Sequence, residues 1–553
     1  MDLKSKLQSQ ITGEVISESL TLDKFSQDAS IFKITPKLIV TPKDSQDIKK
    51  VIDFINNQAG SLSVTPRSGG TDMSGGPLSD SIVLDMTKYF NSVIKVEGTS
   101  ATTQPGVYYR DFEIATLKHN LLLPSYTASR EICTVGGMVA NNSAGEKTLA
   151  FGQTKDYVKS LKVILADGNE YEIQPINLSQ LNKKMSQKDF EGNIYSQVYN
   201  LICENYDIIQ NAKPKVHKNS AGYYLWEVLD REKQIFDLTK LIVGSQGTLG
   251  IISEIEFKLI KPTSHSRLLV IFLKDLNLLP GVVNKLLEQN PESLESYDDQ
   301  TIKVALKFVG EIFKSIKPKN FLNLIFQFIP EVKMVLTGGF PKLVLLSEFT
   351  GYSEQEAEEK CMQAQKSLQD LKVTTRVCSS EEESKKYWTI RHESFNLLRH
   401  HAGNLRTAPF IDDIVVKPEY LPQFLPKLEA ILKEYNLIYT IAGHIGEGNF
   451  HIIPLMDFTK AETAQIIPEL ADKVYTLVFQ YQGSMTGEHN DGLMRGPYLE
   501  KMYGEEVYQL FKQVKEIFDP SNIFNPHKKS DATFDYSFSH LVESHYQLHQ
   551  PNS

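Results

Sequence analysis

Thr134-Val135-Gly136-Gly137-Met138-Val139-Ala140-Asn141-Asn142-Ser143-Ala144-Gly145 is a glycine-bounded run without a lysine or arginine. Consecutive backbone N–H groups in such a loop form a nest that binds an anion with no side-chain cation. Pro66-Arg67-Ser68-Gly69-Gly70-Thr71-Asp72 upstream and Gly244-Ser245-Gln246-Gly247-Thr248-Leu249-Gly250 downstream read the same way. One such loop is an ordinary turn; several suit a pyrophosphate. Neither G-x-G-x-x-G nor G-x-x-x-x-G-K-[ST] occurs, which excludes a Rossmann fingerprint and a P-loop.

Around these loops, short apolar runs alternate with helical periodicity. Ile48, Val51, Ile52 and Ile55 recur at helical spacing behind Asp44 and Ser45, either of which can cap the helix. Residues 63–66, 82–84 and 93–96 read as strands, and 161–165 before Asp167-Gly168 as a hairpin arm. Lys261-Pro262-Thr263 marks a break. Beyond it, strands at 267–273 and 342–349 alternate with helical stretches at 354–371 and 380–401, as in an α+β domain built on an antiparallel sheet. A last helix over 505–518 ends at Asp519-Pro520, and the polar chain after Lys529 reads as a surface tail. The expected units are an N-terminal helical segment 1–30, a first domain 31–262, a second domain 263–485, a segment 486–530 and a tail 531–553.

A chain of 553 residues can bury two or more cores, and 41% hydrophobic residues argue against disorder. The net charge of −9 disfavours nucleic acid as a partner. The four cysteines form no C-x-x-C, which disfavours a cysteine-ligated zinc, an iron–sulfur cluster and a disulfide framework and fits a reducing compartment. The polar start Met1-Asp2-Leu3-Lys4 carries no signal core, and no run is long enough to span a bilayer, so a cytoplasmic location is expected. Between Lys303 and Lys333, six lysines against two glutamates alternate with apolar residues. That pattern suits either peripheral contact with the inner face of a membrane or two ordinary packed helices.

Chemistry concentrates later, in Ile441-Ala442-Gly443-His444-Ile445-Gly446-Glu447-Gly448-Asn449-Phe450-His451 and Gly487-Glu488-His489-Asn490-Asp491-Gly492. His444, His451 and Glu488 supply two imidazoles and a carboxylate, a set suited to zinc, with manganese or iron as alternatives. His489 is left beside them as the candidate general base.

In the family's order, the stretches 66–71, 134–145, 244–252, 443–451, 487–492 and 518–526 resemble the FAD-dependent oxidases and dehydrogenases of the vanillyl-alcohol-oxidase / p-cresol-methylhydroxylase (PCMH) type. Within them the chain is similar to the branch of D-lactate dehydrogenase, the glycolate oxidase flavin subunit and D-2-hydroxyglutarate dehydrogenase. The resemblance implies an α+β fold: a PCMH-type FAD-binding domain of two subdomains, then an α+β cap with an antiparallel sheet, then a C-terminal segment returning to the flavin. It implies that Pro66, Arg67, Ser68, Gly69, Gly70, Thr71 and Asp72, with Thr134, Gly136, Gly137, Asn141, Asn142, Ser143 and Gly145, hold pyrophosphate and adenosine. Gly250, Ile251 and Ile252 would lie along the adenine side and Asn525 near the flavin ring. No histidine stands at the first loop, where members with a covalent flavin carry one, so the FAD is expected to be non-covalent. Tyr387-Trp388-Thr389-Ile390-Arg391 looks like the segment that supplies a carboxylate-binding arginine; Arg406 is second choice, with pairing to Asp412 or Asp413 as its alternative role.

Departures from the family pattern narrow the reading. Glu447 stands where relatives often carry aspartate, which leaves the metal's identity open, and G-E-H-N-D-G argues against glycolate. Phe410 or Ile411 stands where D-2-hydroxyglutarate-type enzymes place a lysine, which disfavours a second substrate carboxylate. The expected reaction is metal-assisted oxidation of a D-lactate-like D-2-hydroxy acid, with His489 taking the hydroxyl proton and hydride passing from C2 to flavin N5. The alternatives are a non-redox flavoenzyme like alkyl-dihydroxyacetone-phosphate synthase, a flavin subunit of an electron-transfer complex, or a flavin-free hydrolase. Expected partners are the small acid and an electron acceptor (a quinone or an electron-transfer protein), with a homodimer as the candidate assembly.

Overall fold

Four short strands open the chain: Glu14–Ile16 (β1), Leu38–Thr41 (β2), Val64–Arg67 (β3) and Ile82–Asp85 (β4). In the computed structural model, which describes residues 2–58, 60–307, 339–400 and 403–542 without the side chains of 394–400, they pair in the order β1-β2-β4-β3. β1 is antiparallel to β2, and the other pairs are parallel. Parallel neighbours need a crossover, and the helix Ser45–Asn56 (α1) supplies it between β2 and β3. Asp44 caps that helix by accepting the Asp47 N–H at 3.0 Å. The buried Asp47 carboxylate accepts the N–H groups of Thr12, Gly13 and Lys43, which fastens the N-terminal segment to the sheet. Residues 1–30 are therefore not only helical; β1 is too short for its alternation to be read.

The second sheet is antiparallel throughout: Val93–Glu97 (β5), Ser100–Thr103 (β6), Val158–Ile164 (β7), Glu170–Ile173 (β8) and Ile251–Lys258 (β9), in the order β5-β6-β9-β7-β8. Between β6 and β7 the second glycine run forms the helix Val135–Asn141 (α2), capped by Thr134. Gly136 allows its close approach, since a Cβ there would stand 2.6 Å from the Pro105 carbonyl oxygen.

The cap is a seven-stranded antiparallel sheet made of His265–Leu273 (β10), Ser293–Asp298 (β11), Leu343–Gly351 (β12), Thr374–Val377 (β13), Ile414–Val415 (β14), Ile441–His444 (β15) and Asn449–Ile452 (β16). Its order is β13-β10-β12-β11-β15-β16-β14. Leu269, Ile271 and Leu273 join the large core with the helices Leu279–Leu287 (α3) and Glu354–Ser367 (α4). Leu268, Val270 and Phe272 face the other way, onto Tyr387 of the helix Glu381–His400 (α5). The period of two thus gives the sheet two covered faces. Glu295 shares its strand parity with Tyr297, on the α5 side, which brings it to Arg391.

The amphipathic helix Glu505–Phe518 (α6) leads back to the first sheet. Val64 N–H donates to Ile523 O and Asn525 N–H to Val64 O, so the returning segment pairs with β3. The stretch 532–542 is packed rather than loose: Phe538 is fully buried and Leu541 bridges Phe32. Residues 308–338, most of the basic amphipathic stretch, lie outside the described residues; among the described ones no helix is long and apolar enough to cross a membrane.

Lys529 Nζ, with no exposure, donates to Asn490 Oδ1 at 2.7 Å and pairs with Asp491 Oδ2 at 2.6 Å, locking the 487–492 turn to the returning segment. Lys529→Met leaves the buried Asp491 without that cation and is expected to cost about 3–5 kcal/mol in denaturant unfolding. An unchanged midpoint would remove Lys529 from this role.

Candidate active site

A cavity of about 710 Å³ runs from the two glycine loops to the histidine cluster of the cap. At its first end, Ser68 Oγ and Thr134 Oγ1 lie 2.5 Å apart and join the loops. Among the described residues nothing accepts the backbone N–H groups of Ser68, Gly69, Gly70 or Thr71, and all four residues line the cavity. A Cβ on Gly137 would project into the gap between the loops, 3.3 Å from Thr134 Oγ1 and 3.5 Å from Ser68 Oγ. Free donors and an open cradle fit a pyrophosphate.

The other flavin residues expected from sequence divide into wall and struts. Pro66, Arg67, Asp72, Thr134, Gly136, Asn141, Ser143, Gly145, Gly250 and Ile252 also line the cavity. Arg67 turns its guanidinium away, donating to Phe25 O at 2.9 Å and Gln27 O at 2.7 Å. Asp72 accepts from Ser74, Gly76 and the Asn141 amide, tying one loop to the other. Three residues are not on the wall. Ile251 points into the first-sheet core because strand alternation lets only Ile252 face out. Asn142 ends α2 in a left-handed conformation and accepts the Lys155 N–H. Asn525 is a buried brace, donating to Gly76 O and Gln246 O.

At the far end the two cap motifs meet. His444 lies on β15 and His451 on β16, the two arms of a hairpin, and Glu488 and His489 come from the turn after the long helix Ala461–Gln480. His444 Nε2 is 3.2 Å from His451 Nε2 and 2.9 Å from Glu488 Oε1. Each histidine commits its other nitrogen: His444 Nδ1 donates to Glu295 Oε1 at 2.5 Å, and His451 Nδ1 to the Asp412 carbonyl at 2.9 Å. The two Nε2 atoms and the Glu488 carboxylate thus cluster together, with outer partners typical of metal-ligating imidazoles. Tetrahedral bonds of about 2.0–2.1 Å need donors about 3.4 Å apart, so a small expansion admits an ion. One proton serves the pair as it stands: against burial, Glu295 lifts His444 to about 9, while burial takes His451 down to about 4.

Asp412 and Asp413, both fully buried, hold the neighbouring turn. Asp412 Oδ2 is 2.8 Å from His489 Nδ1, and Oδ1 pairs at 2.5 Å with Arg495, also fully buried. Asp413 accepts the Glu488 and His489 N–H groups, each at 2.8 Å, and the Thr486 hydroxyl. Burial works against it, yet the two aspartates raise His489 to about 10. Asp412, His451 and His489 would make a second ligand triad, but Arg495 already serves as the cation on Asp412.

Arg391 borders this end, bound to Glu295 through Nη2, while its buried Nε has no hydrogen-bond partner among the described residues. Against burial, Arg391 and His444 hold the Glu295 carboxyl down to about 2. Arg406 does not reach the site: it is exposed on a two-residue strand paired with Leu455–Met456. Asp412 and Asp413, its alternative partners, are engaged with the site groups instead. Glu447 is no ligand; it lies 3.1 Å from Lys218, a fully buried cation that also meets Glu488 Oε1 at 2.6 Å. Lys218, Glu295, Asp412, Asp413 and Arg495 escaped sequence reasoning. Two adjacent acids inside the apolar run 408–416 were a signal, because buried charge needs a partner.

Known proteins share this architecture. Residues 36–174 match the model of an FAD binding domain and residues 263–529 that of the C-terminal domain of FAD linked oxidases. The chain belongs to the FAD-linked oxidases, with PCMH-type FAD binding and a cap. It is 26% identical to D-2-hydroxyglutarate dehydrogenase of Pseudomonas putida over 93% of its length, and spans about half of that relative, 50%. D-lactate dehydrogenase of Archaeoglobus fulgidus is also 26% identical, over 91% of this chain and 95% of that one. The structure of 4-ethylphenol oxidase from Gulosibacter chungangensis aligns with a TM-score of 0.67 at 12% identity, over 96% of this chain and 97% of that one, a likeness of fold.

Glu295→Gln removes the charge behind His444 and is expected to weaken divalent-metal binding about 10–100-fold with flavin content unchanged. Competition against a chromophoric chelator measures it; parental affinity would contradict the role of Glu295.

Proposed function

We propose that this chain is an FAD-dependent dehydrogenase that oxidises a small, D-lactate-like D-2-hydroxy acid to the 2-oxo acid, with a divalent metal ion at His444, His451 and Glu488. The observation that carries the reading is the convergence of a histidine–carboxylate donor set and an aspartate-held imidazole on a cavity that begins at a row of free backbone donors. Similarity to D-lactate and D-2-hydroxyglutarate dehydrogenases supports the reaction class.

Each residue has a task. Ser68, Gly69, Gly70 and Thr71 offer N–H groups to the pyrophosphate. Arg391, steadied on Glu295 at the edge of the cavity, supplies the cation for the substrate carboxylate. Bound at these sites, a divalent ion supplies Lewis acidity to the C2 hydroxyl and the flavin a hydride acceptor. His489, with Nδ1 held toward Asp412, presents Nε2 to take the hydroxyl proton. In the field of two aspartates His489 keeps its own proton at neutral pH. A divalent ion held by His444, His451 and Glu488 would add positive charge beside His451, whose ring stacks on His489 at 5.5 Å, and so would lower the proton affinity of His489.

Anaerobic D-lactate is expected to bleach the flavin band, L-lactate to leave it, and prior chelation to prevent the bleaching. A yellow protein bleached by none of D-lactate, D-2-hydroxybutyrate, glycolate and D-2-hydroxyglutarate would sink the reading. His489→Ala and Asp412→Asn are each expected to lower kcat at least roughly 10²-fold with flavin and metal retained and KM little changed. Loss confined to KM would remove both from proton transfer.

A further inference from the structure

Glu146 brings a negative charge to the cavity that the mechanism above does not use. It follows the last glycine of the second loop and borders the same cavity as Arg391, His444, His451 and His489. Its side chain is 33% exposed, and its ion-pair neighbour, the exposed His392 of α5, is 3.6 Å away, beyond hydrogen-bond length. The adjacent Lys147 does not neutralise it, because that ammonium is paired with the buried Glu292 of the cap.

Among the described residues, each cationic group of the wall already has an acid or carbonyl neighbour, His392 having Glu146 itself. Arg391 is bound to Glu295, Arg67 to backbone carbonyls, and Arg130 stands near Glu113 and Glu131. Thr440, Ala442 and Ile453 complete the cap side with neutral surface. A substrate held by its C1 carboxylate then extends its tail past Glu146, whose one ion-pair neighbour among the described residues is the exposed His392 at 3.6 Å. A tail carboxylate would meet like charge in a partly desolvated cavity, where repulsion is far stronger than in water.

Resting on the dehydrogenase reading, we propose that Glu146 is the specificity-determining residue: it rejects D-2-hydroxy acids bearing a second carboxylate and admits those with an uncharged tail, hydrocarbon or hydroxylated.

The test compares kcat/KM of the holoenzyme for D-lactate and D-2-hydroxybutyrate with that for D-malate and D-2-hydroxyglutarate, in the parent, Glu146→Gln and Glu146→Lys. The parent is expected to favour the monocarboxylates by roughly 10²-fold, the order expected of about 3 kcal/mol of like-charge repulsion at an effective dielectric near 20. Glu146→Gln should shift the ratio at least about tenfold toward the dicarboxylates, mainly through their KM, and Glu146→Lys further. A parent that oxidises D-2-hydroxyglutarate as well as D-lactate overturns the proposal while leaving the dehydrogenase reading intact, and needs no variant to fold. A ratio unmoved by either substitution overturns it as well. If no D-2-hydroxy acid reduces the flavin, the dehydrogenase reading itself has failed and the proposal falls with it.

Discussion

Two adjacent carboxylates, Asp412 and Asp413, lie without exposure in the middle of an apolar run, and the candidate catalytic end of the molecule is organised around their need for partners. A buried charge costs several kcal/mol unless paired and hydrogen-bonded. Asp413 meets the need with the main chain of the 486–489 turn, which fixes where Glu488 and His489 point. Asp412 meets it with Arg495 and His489, while its carbonyl orients His451. One dipeptide therefore sets the direction of a candidate base and two of the three candidate ligands.

The flavin side is coupled to this centre by a second set of buried ions. Lys218 comes from the FAD-binding half and holds Glu488 and Glu447 of the cap motifs. Lys529, from the returning segment, holds Asn490 and Asp491. Asn490 in turn donates to Asn141 O and Gly244 O behind the glycine loops. These contacts make the position of the donor set depend on an intact flavin domain, as the proposed hydride transfer from a substrate held between them would require.

What the sequence disclosed was local. Glycine nests, the His444–His451 hairpin, the 487–492 turn and the helix 505–518 each declare themselves within a dozen residues, where spacing and periodicity carry the information. What it hid was long-range pairing. Arg495 finds Asp412 across 83 residues and Lys218 finds Glu488 across 270, and no local pattern encodes such a choice. Asn142 and Asn525 stand as struts behind the cavity wall, and an amide that ties backbone to backbone reads in sequence like one that touches a ligand. Ile251 and Ile252 differ only in strand parity, which one residue of register decides. The stretch 532–542 looked polar because its packing rests on a few residues, Phe538 and Leu541 among them.

The most direct measurement is an anomalous difference map at a metal absorption edge, from crystals of the flavin-loaded protein equilibrated with zinc or manganese. One peak is expected, bonded at about 2.0–2.2 Å to His444 Nε2, His451 Nε2 and Glu488, with His489 outside the coordination sphere and its Nδ1 still on Asp412. A peak ligated by Asp412 and His489, or none at the converging nitrogens under saturating metal, would contradict the assignment of ligand and base on which the proposed chemistry stands.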